Sequence, residues 1–188
     1  NIRGIDVLAS LETGAVAILG NSITDGRGST TYNQNRWPDI LSERLLANEA
    51  TKNVAVLNMG IGGNCMLGGG LGPIGRIRYK ADLLEQPGVK WIILFEAIND
   101  LGWARDGVGS ANAIIDVYKQ IISEAHAKGI RVFGGTITPF KNNGYYTEDH
   151  EKGRQHFNNW MRTTPLLDGV IEMEHAVRDP QDTLSMNP

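Results

Sequence analysis

Five apolar runs of strand length, separated by segments of helical period, set what this chain can fold into. They are Ala15 to Leu19 (AVAIL), Val54 to Met59 (VAVLNM), Trp91 to Phe95 (WIILF), Arg131 to Thr136 (RVFGGT) and Val170 to Met173 (VIEM). Runs that are apolar on both faces suit parallel strands covered on both sides by helices. A helix is predicted from Trp37 to Glu49, with Trp37, Ile40, Leu41 and Leu45 on one stripe and Pro38 in its first turn. A longer one is predicted from Ser110 to Lys128, with Ile114, Ile115, Tyr118, Ile121, Ile122 and Ala125 on one face and Gly129 past its end. Thr147 reads as the N-cap of a third helix that runs to about Arg162 and carries Phe157, Trp160 and Met161. Glu148, Asp149 and Glu151 place negative charge at its positive end. Gly75 to Leu84 carries a weaker helical pattern.

Strand and helix in alternation predict an α/β fold with right-handed crossovers. At 188 residues the chain reads as one domain, residues 1–188. Composition narrows the partners. Eighteen basic and 21 acidic residues leave a net charge of −3, against a nucleic-acid or anionic-membrane surface as the main partner. No apolar run nears the roughly 18 to 20 residues that span a bilayer, so no membrane span is expected. The lone cysteine, Cys65, excludes an intrachain disulfide and a cysteine-based zinc site, and reads as a small packing residue.

In open parallel sheets the site lies beyond the carboxyl ends of the strands. Three polar, glycine-punctuated loops follow the first three runs: Gly20 to Gly26 (GNSITDG), Gly60 to Asn64 (GIGGN) and Glu96 to Asp100 (EAIND). They are expected to meet at one sheet edge. Acyl transfer needs a nucleophile and donors aimed at the developing oxyanion. Ser22, just past the first run, offers the hydroxyl and its own N–H. Gly63 offers a second N–H, and the Asn99 side chain an amide. The plainer alternatives are a turn-capping Ser22, turn chemistry at Gly63 and a loop-binding Asn99. Asp100 either holds its loop or ends a strand. Asp25 reads as a turn residue. Trp37 and Trp103 read as core residues rather than as an aromatic wall.

GNSITDG resembles the first block of the SGNH (GDSL-type) hydrolases, GIGGN their glycine block and EAIND their Asn-Asp block. Order and spacing agree over nearly the whole chain. The resemblance implies a three-layer α/β/α sandwich, flavodoxin-like, with a five-stranded parallel sheet. It implies a serine esterase with no metal and no organic cofactor, with Ser22 as nucleophile and Gly63 and Asn99 completing the oxyanion hole. Arg36-Trp37-Pro38-Asp39 resembles secreted, carbohydrate-directed members. That implies a small-molecule or glycan ester as substrate, a short acyl group such as acetyl, and an extracytoplasmic location. Asn21 stands where the family usually has Asp, and Ala97 where Gly is common.

The family's Asp-x-x-His block, which supplies the general base, does not occur in this sequence. The expectation is that the base lies in a further C-terminal piece of about 30 to 50 residues, with a closing helix. Without that piece, one helix's worth of core is expected to lie uncovered. His126, His150 and His156 read as surface or packing residues on helices. His175 follows the fifth run, and Glu172 precedes it by three, but on an extended strand the two point to opposite faces. The rival from another class is an SGNH-fold binding domain without a base.

Three further readings carry less weight. Gly70 to Gly75 matches G-x-G-x-x-G, but it does not follow a strand directly and Pro73 removes a backbone N–H, so it reads as a loop near the pocket. A flavin carrier on the same topology predicts a yellow protein. Residues 22–26 also lack the G-x-S-x-G elbow of the α/β-hydrolase fold proper.

Overall fold

The structure, a computed structural model, describes residues 7–10 and 12–187. Its five strands are β1 (Gly14–Gly20), β2 (Val54–Gly60), β3 (Val89–Phe95), β4 (Arg131–Gly135) and β5 (Gly169–Ile171). All pair in parallel, in the order β2-β1-β3-β4-β5. The strand order reverses at β1 and β3, the switch point where α/β folds place their ligands. The helices are α1 (Ser22–Asp25), α2 (Trp37–Leu46), α3 (Gly75–Tyr79), α4 (Ile98–Gly102), α5 (Gly107–Ala127), α6 (Glu148–Thr163) and α7 (Met173–Val177). A π-helical turn, Lys80–Leu84, continues α3.

Successive strand residues point to opposite faces, and the strands are apolar on both. Ala17, Leu19, Ile92, Leu94 and Val132 face one cluster, with Tyr79, Leu83, the inner stripe of α5, and Phe157 and Met161 of α6. Val16, Ile18, Ile93 and Phe95 face the other, with Trp37, Leu41 and Leu45 of α2. The result is the expected α/β/α sandwich. The α2 side is incompletely covered. An apolar groove of about 400 Å³ lies open there, lined by Val16, Leu41, Leu45, Trp91, Ile93 and Phe133.

Several boundaries differ from expectation. Helix α2 ends at Leu46 rather than Glu49, and Ile40 is exposed, so the buried stripe is only Trp37, Leu41 and Leu45. Helix α5 starts at Gly107, before the expected Ser110, because Asp106 caps it by accepting from the Gly109 N–H at 2.9 Å. The fifth run splits: β5 ends at Ile171 and Met173 opens α7. The cause is Glu174, whose carboxylate is drawn inward by Arg154 at 2.9 Å and Arg162 at 2.6 Å. Its N–H also donates to Thr136 Oγ1 at 3.0 Å.

Candidate active site

The first three loops do meet at the carboxyl edge. Asn21 caps α1: its Oδ1 accepts from the Ile23 N–H at 3.0 Å, and its Nδ2 donates to Glu96 Oε1 at 3.0 Å. Ser22 is therefore the first residue of a one-turn helix seated on the ends of β1 and β2. The seat needs a bare backbone beneath it. A Cβ at Gly60 would lie 2.8 Å from the Thr24 carbonyl carbon. The turn closes at Gly26, whose φ of +117° favours glycine.

In the second loop, the Gly62 N–H donates to Asp25 Oδ2 at 3.1 Å. Asp25 thus joins two loops rather than serving its own turn, which corrects the expectation. Gly63 has φ +69° and its carbonyl accepts from the Leu71 N–H at 2.9 Å. Among the described residues no partner engages the N–H of Ser22 or of Gly63.

Arg78 fixes this loop from below. Its guanidinium, almost wholly buried, donates to Gly20 O at 3.0 Å, Met59 O at 2.6 Å and Asn64 Oδ1 at 3.0 Å, and pairs with Asp82 at 2.7 Å. Asn64 Nδ2 in turn donates to the carbonyls of Leu71 and Pro73 at 2.7 and 2.9 Å. Two carbonyls of the 70–75 glycine loop are thus turned inward on Asn64, which ties that loop to the second one.

The third loop begins at Ala97, which takes φ +153° ahead of α4. Asn99 follows, nearly buried, with Nδ2 donating to Asn64 O at 2.6 Å and Oδ1 accepting from the Tyr145 hydroxyl at 3.1 Å. An amide carries two N–H donors, so one remains for a ligand. Asp100 holds the chain beyond Asn64: its oxygens accept from the Met66 and Leu67 N–H groups at 2.7 and 2.8 Å. Burial pushes its carboxyl up, against the pull of those two bonds. Burial also pushes Glu96 up, to about 8, and its Oε2 has no partner among the described residues.

Ser22 and Asn99 line one cleft of about 690 Å³, together with Ile23, Arg27, Thr138 and Tyr145. Residues 178–187 fold back, so Ser185, Met186 and Asn187 form part of its rim. Asn99 also borders a second cleft of about 460 Å³, with Leu67, Gly68, Gly69, Gly70 and Trp103. The two clefts adjoin where Trp103 and Tyr145 meet edge to face at 5.3 Å. Trp103 is 73% exposed, so the core expectation fails for it, while Trp37 does pack in the core against Phe95. Cys65 is buried, as expected, and burial pushes its thiol to about 12.

None of the four histidines lines the Ser22 cleft. His126 bonds Asp168 at 2.9 Å and His156 bonds Asn112 at 2.7 Å, both at the surface. His150 sets Nδ1 2.6 Å from the Tyr145 carbonyl and Nε2 2.9 Å from the Ala104 carbonyl, and in its neutral form it donates to one of them. His175 lies on α7, where helical spacing brings it within 3.7 Å of Glu172, unlike the strand geometry expected. Glu172, Glu174 and His175 cluster, but both carboxylates are engaged by Arg162 at 2.8 and 2.6 Å. The sequence reading missed Arg78, Glu96 and Tyr145. Arg78 was visible only as a basic residue in a weak helix, Glu96 only as the first residue of the third loop, and Tyr145 carried no spacing signal.

Five parallel strands in this order, with a serine opening the first helix and an asparagine on the same cleft, define an SGNH-type α/β fold. The model of the GDSL-like Lipase/Acylhydrolase family matches residues 18–186, and the chain belongs to that family of ester hydrolases. Solved structures agree on the fold. AlinE4, an SGNH-hydrolase family esterase, is 17% identical with a TM-score of 0.63, over 96% of this chain and 87% of that one. A member of the lipolytic protein G-D-S-L family from Veillonella parvula is 18% identical with a TM-score of 0.56, over 80% and 71%. The acetyl xylan esterase AlAXEase is 22% identical with a TM-score of 0.57, over 79% and 70%. No curated protein matches the chain in sequence.

Proposed function

We propose that the chain is one SGNH-type domain acting as a serine esterase on short-chain acyl esters, acetyl on carbohydrate foremost. The observation that supports this most is that Ser22 and Asn99 share a cleft, while the Ser22 and Gly63 N–H groups have no partner among the described residues. Ser22 Oγ adds to the ester carbonyl carbon. The oxyanion that forms is held by the N–H of Ser22, the N–H of Gly63 and the free N–H of Asn99. A base takes the serine proton and returns it to the departing alcohol. Water then attacks the acyl-enzyme and regenerates Ser22. No metal or organic cofactor is required for these steps.

The cleft's Arg27, Lys141, Asn142 and Asn143 offer donors to a hydroxylated alcohol moiety. The acetyl xylan esterase among the structural neighbours supports the acetyl assignment. Such a substrate, and the resemblance of residues 36–39 to secreted members, support action outside the cytoplasm.

One observation favours a second reading: no histidine lines the cleft. It is a binding domain that keeps the pocket and lacks the base. A fluorophosphonate probe separates the two. The esterase reading expects one covalent adduct, lost in Ser22→Ala, and faster turnover of p-nitrophenyl acetate than of longer acyl esters. No adduct and no turnover on the natural protein that carries residues 1–188, with any sequence that flanks them, would move the assignment to the binding domain.

A further inference from the structure

We infer that Tyr145 is a positioning residue for Asn99, setting the plane in which its free amide N–H meets the oxyanion. The inference rests on the esterase reading of the Ser22 cleft. Asn99 is held at both ends of its amide. Asn64 O accepts one N–H at 2.6 Å, and the Tyr145 hydroxyl donates to Oδ1 at 3.1 Å. With the Asn64 contact alone, the side chain could still pivot about that bond. The second bond, on the opposite end of the amide, removes the pivot. It also draws electron density toward Oδ1, which strengthens the remaining N–H as a donor.

Tyr145 is itself built into place, although it lies in the loop between β4 and α6. Its ring covers Gly102, where any Cβ would run into the ring atoms. Trp103 meets it edge to face. Its own N–H donates to Asn143 Oδ1 at 3.1 Å, and its carbonyl faces His150 Nδ1 at 2.6 Å. The other ring nitrogen of His150 reaches Ala104 O at 2.9 Å, just past α4. The His150 ring thereby lies between the tyrosine loop and the segment that carries Asn99, and in its neutral form it donates to one of the two carbonyls. Tyr145, which also lines the cleft, completes a chain of contacts from His150 through Asn99 to the glycine loop.

Tyr145→Phe keeps the ring against Gly102 and Trp103 and removes only the hydroxyl. The expected result with p-nitrophenyl acetate is a kcat lower by about three- to tenfold, the range of one hydrogen bond, with KM unchanged. Gly102→Ala displaces the ring and lowers kcat at least as far. The Asn99 side-chain amide provides a readout that needs no turnover. Its 15N–1H pair, assigned by its disappearance in Asn99→Ala, shifts and exchanges faster in Tyr145→Phe. An unmoved amide pair overturns the inference, as does an unchanged kcat or a loss confined to KM in an enzyme that turns over. If Ser22 forms no acyl-enzyme at all, the amide pair alone decides, so failure of the esterase reading stays distinguishable.

Discussion

Asn21 and Glu96 meet in a buried hydrogen bond, Nδ2 to Oε1 at 3.0 Å, directly beneath the turn that presents Ser22. The Asn21 amide that makes it also caps α1 through its oxygen. Where the family usually has Asp, two carboxyl groups would face each other here and would have to share a proton. Asn21 removes that conflict and leaves one carboxyl in the pair, with a pKa near 8 set first by desolvation. An unfolded glutamic acid titrates near 4.5. Between those values the folded protein holds a proton that the unfolded chain has lost, so stability is full below the lower value and falls until the higher one. Glu96→Gln should flatten that fall. The check is Tm for both proteins from pH 5 to pH 9, where the variant gains on the parent as pH rises.

Asn99→Ala removes one of the three donors proposed for the oxyanion. A single such donor is worth about 2.7 to 4 kcal/mol, so kcat should drop by about 10²–10³. Steady-state kinetics check it, and KM should change far less than kcat.

Ala97→Gly should stabilise the protein. At φ +153° an alanine pays for its Cβ, typically 1–3 kcal/mol in such regions. The greater entropy of glycine in the unfolded chain gives back about 0.5–1 kcal/mol. A net gain of about 1 kcal/mol is expected, read from the urea midpoint at unchanged slope.

Asp100→Asn should destabilise. The carboxylate accepts two successive backbone N–H groups, and an amide offers one oxygen and one misplaced NH₂ in their place. A buried donor left unpaired costs about 1–3 kcal/mol. Chemical denaturation of the pair of proteins measures it.

The sheet was legible because strands buried on both faces read as unbroken apolar runs, WIILF most clearly. The exception was VIEM, where Glu172 and Glu174 signalled neither a strand end nor a helix until Arg154 and Arg162 were placed beside them. Ser22 and Asn99 were marked by the polar loops that follow the first three strands, so their shared cleft was foreseeable. Tyr145 was not. Its link to Asn99 spans 46 residues of sequence and depends on how a loop without periodicity docks on α4. Trp103 was misread for a related reason. Core burial is the usual fate of tryptophan, but α4 ends one residue earlier, at Gly102, and turns the indole outward.

Arg78 gives these loops a common fate. One guanidinium bonds the last residue of β1, the penultimate residue of β2 and, through Asn64, the chain on which Asn99 rests. None of these segments can lift away without stranding a buried cation. Opening near Ser22 should therefore be a single concerted event rather than separate fraying of three loops. The hydrogen-bonded amide protons of these segments should share one opening free energy, high for a surface that carries so much glycine.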